Sequence, residues 1–163
     1  MKKFYKNLCY ILCSWFGVGF CPFASGTAGS AATLPLAFVM AYFFGFWGIL
    51  AATVISFFVG VVASKEVLKY TKYDPSLIVI DETAGQLLSF ALVADALVGN
   101  SHAWMTYLFG FALFRLFDIT KPQPAKYFDT KVLNAWGVML DDIAAGVYAA
   151  ILLYFATRYL PIL

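Results

Sequence analysis

Charge is scarce in this sequence. Only 12% of its 163 residues are Asp, Glu, Lys or Arg, while 63% are hydrophobic. A soluble domain carries about 25% charged and roughly 45–50% apolar residues, so there is too little polar surface here to face water. No charged residue occurs from Asn7 to Ser64. Thr83 to Phe114 holds only Asp95, and Ile143 to Thr157 holds none. Histidine is limited to His102, and cysteine to Cys9, Cys13 and Cys21. Three cysteines cannot complete a disulfide framework, and without a matching His/Cys set there is no zinc site. Cys9 and Cys13 share one helical face and read as small buried apolar residues. A net charge of +2 offers no surface for nucleic acid.

The charge-free runs are what a membrane requires. A spanning helix needs roughly 20 mainly apolar residues. The fold expected over 1–163 is therefore a single all-α domain, a compact multi-pass membrane bundle of four to five spans. An N-terminal amphipathic helix at 4–20 leads into it, and a Gly/Ser/Thr-rich loop follows at 21–30. Spans fall near 31–45, 48–64, 83–98, 103–117 and 138–157, with turns at Gly45–Gly48 and Gly99–Ser101. The N-terminal lysines resemble the start of a signal peptide, but the apolar sequence runs on into further spans, so no cleavage is expected.

The few charges that remain are sorted by side. With the N-terminus in the cytoplasm, Lys2, Lys3, Lys6, Lys65, Lys69, Lys72, Arg115, Lys121, Lys126 and Lys131 fall on the cytoplasmic side, and only Arg158 falls opposite. This obeys the positive-inside rule. Glu66, Asp74, Asp81, Glu82, Asp118, Asp129, Asp141 and Asp142 lie on the same side, and Asp95 does not. Acids at span ends are expensive to bury, and their gathering marks a site.

Three segments carry the chemistry. Ser25-Gly-Thr-Ala-Gly-Ser30 precedes an apolar helix, where glycines and free N–H groups can receive an anion, with Thr27 and Ser30 adding hydroxyls. An N-cap with packing glycines explains the same residues. Asp81-Glu82-Thr-Ala-Gly-Gln86 opens a second apolar helix with two acids. Dipole compensation would need only one. Phe114-Arg-Leu-Phe-Asp-Ile-Thr-Lys-Pro-Gln-Pro124 sets Arg115 and Asp118 on one face, as a site pair or a structural ion pair, and then breaks at its prolines. It is followed by Asp141-Asp142-Ile-Ala-Ala-Gly146, read as opening the last helix. Packed together, the two acid pairs would set four carboxylates around a hard, oxygen-seeking cation such as Mg2+. Arg115 and Lys121 would supply positive charge for a phosphoryl group.

These motifs, GTAGS at 26–30, IVIDETAGQ at 78–86, FRLFDITKPQP at 114–124 and GVMLDDIAAG at 137–146, resemble the phosphatidylglycerophosphatase A family. The resemblance implies a Mg2+-dependent multi-pass enzyme of the bacterial cytoplasmic (inner) membrane. It also implies hydrolysis of the phospholipid phosphatidylglycerophosphate to phosphatidylglycerol and phosphate, the last step of phosphatidylglycerol synthesis. On this reading Asp81, Glu82, Asp141 and Asp142 hold the metal. Asp118, Arg115 and Lys121 are catalytic, and Thr27, Ser30, Arg115 and Lys121 bind the phosphate on the cytoplasmic face. Rival chemistries fit less well. His102 falls on the far side, and Cys21 lacks an arginine six residues on, where Thr27 stands. The spaced acids of CDP-alcohol phosphotransferases are absent. An ion-coupled transporter or channel with a cytoplasmic acidic cluster is the alternative, and a structural membrane subunit would not need acids beside bases.

Overall fold

The computed structural model describes residues 2–71, 75–99 and 101–160. Among them are six α-helices, one 3-10 turn and no strand. The α-helices are α1 (Lys2–Cys13), α2 (Ser25–Val67), α3 (Ile80–Ala91), α4 (Ala103–Thr120), α5 (Ala125–Lys131) and α6 (Ala135–Tyr159). Asp74 and Lys72, grouped with the charged cluster from sequence, lie outside the described residues.

Helix α2 is really two limbs. Gly45 has φ 57° and ψ −144°, outside helical space and in a region that favours glycine. A Cβ on Gly48 would stand 2.8 Å from the Met40 carbonyl oxygen, eight residues back. In a continuous helix those positions are roughly 12 Å apart, so the chain doubles back at Gly45. The reversal expected at 45–48 is thus made by one residue.

The first limb begins earlier than its composition indicates. Gly26 to Ser30, expected as a loop, form the opening turns of α2. Weak helix formers are held there by tertiary contact: Gly29 packs on Val79, and Thr33 donates a 3.1 Å hydrogen bond to Thr83. Helix α6 also starts early. Asn134 caps it, its side chain accepting from the Trp136 N–H at 2.9 Å and the Gly137 N–H at 3.4 Å. Asp141 and Asp142 therefore lie well inside α6 rather than at its opening.

Helices α3 and α6 meet backbone to backbone. A Cβ on Gly146 would lie 2.5 Å from the Gly85 carbonyl oxygen, and one on Gly85 would lie 2.5 Å from the Asp142 carbonyl oxygen. Only residues without side chains permit this approach. Phe114 of α4 closes against the same point, its ring edge 2.5 Å from the Gly85 Cβ position. Leu87, Phe90, Leu113, Ala149 and Leu153 continue the core away from it. Cys9 and Cys13 pack α1 onto the second limb of α2 with Val61, Ala63 and Val67, in line with their apolar reading.

Two helices, α2 and α6, are long and apolar enough to cross a membrane. Each limb of α2 is about 20 residues long and rises about 30 Å, one hydrocarbon thickness. Helix α3 has 12 residues and rises about 18 Å, too short to cross alone. Phe43, Trp47, Ile55, Phe58 and Val62 on α2, and Ile151, Leu152 and Phe155 on α6, are exposed. So broad an apolar surface suits lipid better than water.

The glycine contact yields a prediction. Gly146→Ala should lower the thermal midpoint in detergent, with an overpacking cost of about 1–3 kcal/mol. Ile151→Val, on the exposed face of the same helix, should leave the midpoint unchanged.

Candidate metal and phosphate site

The α3–α6 contact sets the two acid pairs side by side. One carboxylate oxygen each from Asp81, Glu82 and Asp142 lies within 4.8 Å of the others. Asp81 and Asp142 are only 6% and 4% exposed, so their clustering is not a surface accident. They line a cavity of about 210 Å³ with Ser25, Ser76, Ile78, Asp118, Lys121 and Asp141.

The two pairs are built alike. Asp81 Oδ1 accepts the Glu82 N–H at 3.0 Å, and Asp141 Oδ1 accepts the Asp142 N–H at 3.0 Å. Each first acid is thereby pinned by the backbone of the second. The pairs differ in what the remaining oxygens meet. Asp141 Oδ2 takes a 2.7 Å hydrogen bond from Lys121, so both its oxygens are engaged. Asp141 lines the cavity without joining the tight trio. Glu82 Oε2 is covered and has no hydrogen-bond partner.

Burial pushes the Glu82 carboxyl up to about 8, and the charges of Asp142 and Asp118 push the same way; a hydrogen bond with Asp81 opposes them. A buried carboxylate without a cation is costly, and this one is favoured as the neutral acid. Three clustered carboxylates with an orphaned buried oxygen match the needs of a hard divalent cation.

Two cations flank the trio. Arg115 Nη1 pairs with Asp118 Oδ2 at 2.5 Å, the pairing expected from their spacing. Arg115 Nε is buried and has no hydrogen-bond partner. Lys121 bridges Asp129 and Asp141 at 2.7 Å each. Burial alone would favour a neutral amine, but the two carboxylates overcome it and hold Lys121 well above the usual lysine range. It is a fixed cation.

Gly26 closes the far wall. A Cβ there would lie 2.3 Å from Glu82 Oε1 and 3.2 Å from Arg115 Nη1, so the first turn of α2 sits directly against both groups. Ser25, one residue earlier, lines the cavity. Ser30 does not line it. It is fully buried, and its hydroxyl donates to the Gly26 carbonyl at 2.9 Å. Thr27 is half-buried and also lies outside the lining set.

Asp129, assigned no role from sequence, is the further residue the structure adds. Its only signal was a carboxylate eight positions after Lys121, across two prolines that hide the approach. His102 is exposed on the α3–α4 connection, its Nδ1 3.3 Å from Ser101 Oγ. Asp95 and Arg158 pair at 3.7 Å beside Gly45, at the other end of the bundle from the acids.

Known proteins resemble the chain along most of its length. A family model described as phosphatidylglycerophosphatase A matches residues 11–157. A phosphatidylglycerophosphatase A of Haemophilus influenzae is 36% identical over 154 residues, covering 94% of this chain and 90% of its own. One from Escherichia coli is 33% identical over 159 residues, covering 96% and 88%. A Bacteroides thetaiotaomicron relative, provisionally named a phosphatidylinositol-3-phosphatase, is 36% identical over 146 residues, covering 86% and 88%. No solved structure matches the chain.

Glu82 generates a stability prediction. Glu82→Gln removes an acid whose Oε2 is covered and unpartnered. Ionisation of the unfolded carboxyl from about 4.5 upward, against about 8 in the folded protein, makes the native acid progressively costlier across that range. In chelator at pH 8 the variant's thermal midpoint should therefore exceed that of the parent, and near pH 4, where the carboxyl is neutral in both states, the two midpoints should converge.

Proposed function

Because the chain belongs to the phosphatidylglycerophosphatase A family, we propose that this phosphatase converts phosphatidylglycerophosphate and water to phosphatidylglycerol and phosphate, with Mg2+ as cofactor. This is the last step of phosphatidylglycerol synthesis. The observation that carries the reading is the convergence of three carboxylates with Lys121 and Asp118 around one cavity, with Arg115 paired to Asp118 beside it. The whole chain, 1–163, acts as one domain in the bacterial cytoplasmic membrane. It crosses four to five times and presents this cavity to the cytoplasm. The acids and most of the described lysines share one end, as the positive-inside rule requires.

Asp81, Glu82 and Asp142 would hold the metal. Asp141, its oxygens engaged, fixes Lys121 beside them. Bound there, Mg2+ supplies Lewis-acid neutralisation of the phosphoryl oxygens. Arg115 and Lys121 bind the remaining phosphate oxygens, and a phosphate monoester needs that compensation before a nucleophile can approach. Asp118 accepts a hydrogen bond from the attacking water and takes its proton, with Arg115 keeping the carboxylate oriented. The water oxygen forms the new P–O bond as the ester P–O bond breaks, and the leaving alkoxide takes up the proton that Asp118 accepted from the water. Ser25 and the N-terminal N–H groups of α2 meet the phosphate from the third side. Thr27 contributes from the next position, while the hydroxyl of Ser30 serves the helix itself.

A transporter is not favoured. The described carboxylates concentrate at one end, and a charged pathway should continue through the bundle. The phosphatidylinositol-3-phosphatase relative raises a question of head group only.

Purified protein should release phosphate from phosphatidylglycerophosphate faster than from phosphatidylinositol 3-phosphate, and chelator should abolish both. Asp142→Asn should lower kcat by about 100-fold or more while the protein still inserts and unfolds cooperatively. Full turnover without divalent cation would exclude the metal role. Faster release from the inositol lipid would reassign the head group.

A further inference from the structure

A second cavity, of different character, lies along the hairpin of α2. It holds about 630 Å³ and opens on the surface of the bundle. Leu36, Met40 and Phe44 form one wall, and Ala51, Ile55 and Val59 form the other. Among its lining residues only Ser56 brings a side-chain hydroxyl, so a polar occupant would find almost no partner. Its floor reaches Ile80, the residue before Asp81.

That end is anchored at the level of the acids. The Val79 N–H donates to the Cys13 carbonyl at 2.9 Å, holding the end of α1 against the start of α3. Trp15 and Phe16 follow at once, and both line the groove. Their φ angles are 47° and 56°, a left-handed backbone that bulky residues rarely adopt. The fold holds two large aromatics at the groove mouth despite this cost. The other end stops at Trp47 and Gly48, beside the Gly45 reversal. From Val59 to Gly48 the helix rises roughly 16 Å.

We propose that this groove holds one acyl chain of the phospholipid whose phosphate occupies the carboxylate cavity, a subsite that rests on the phosphatase reading above. The occupant must be apolar, elongated and roughly 16 Å long, and must reach the level of Ile80 beside Asp81. An acyl chain of the substrate meets all four conditions. The groove then acts as a ruler for substrate placement: seating the chain sets the depth at which the head group meets Arg115 and Lys121.

Two measurements test this. Ala51 and Ile55 are exposed, so Ala51→Phe and Ile55→Trp fill the groove without entering the core. The preference for long-chain over dihexanoyl phosphatidylglycerophosphate, as a ratio of kcat/KM values, should fall about tenfold in each variant, the worth of one to two displaced methylenes. An unchanged ratio, with wild-type activity intact, overturns the groove and leaves the phosphatase reading standing. The second measurement does not depend on turnover. Phosphatidylglycerophosphate carrying a photoreactive group on one acyl chain should label Leu36, Met40 and Ile55. Excess unlabelled substrate should suppress that labelling, and phosphatidylcholine should not. Labelling equal to that at Ile151 and Phe155 on α6, or resistant to substrate, means bulk lipid and overturns the proposal. Crosslinks at the groove to a second copy of the chain do the same. Competed groove labelling without phosphate release would support the groove and sink the phosphatase reading.

Discussion

The site depends on two glycines touching. Gly85 and Gly146 bring α3 and α6 into backbone contact, and that contact sets Asp81 and Glu82 beside Asp142. Carboxylates repel when they are brought together in a poorly solvated place, so the acids do not assemble themselves. Apolar packing must hold them. Phe114, Leu87, Phe90 and Leu153 supply it, and Phe114 presses on Gly85 directly. Core and site are thus one construction: the core's packing energy offsets the electrostatic cost of the acids.

Charge is then balanced locally. Lys121 answers Asp129 and Asp141, and Arg115 answers Asp118. The trio of Asp81, Glu82 and Asp142 is left with a surplus of negative charge, and Glu82 carries the consequence as a carboxyl held near neutrality. Such an imbalance is poor for stability and useful for capturing a cation. The same division explains why Asp141 differs from Asp142 although they are neighbours. Within a helix they point about 100° apart, one toward Lys121 and one toward the trio.

Much of this was legible in the sequence. Paired acids before small residues pointed to the carboxylate cluster and to the close helix crossing, because Gly85 and Gly146 follow their acid pairs at nearly the same spacing. The all-helical class and the reversal near Gly45 followed from long charge-free runs and a glycine. Other features were hidden for physical reasons. The opening turns of α2 look like a loop because Gly, Ser and Thr are poor helix formers, and only their contacts with Val79 and Thr83 make them helical. Helix α5 is seven residues between prolines and a cap, too short for periodicity to show. The Lys121–Asp129 pair depends on the path of that same turn. Ser30 and Thr27 offer identical chemistry on paper, and only burial reveals that the Ser30 hydroxyl is spent on its own helix.

The backbone pinning of Asp81 and Asp141 bears on how the protein is made. Each of these acids is oriented by the N–H of the residue beside it, so each half of the centre takes its local shape without the other. The halves lie about sixty positions apart along the chain and join only when α6 docks on α3. A ribosome that has delivered the first five helices has therefore delivered no working enzyme. The three carboxylates of the trio come together only when α6 takes its place against α3.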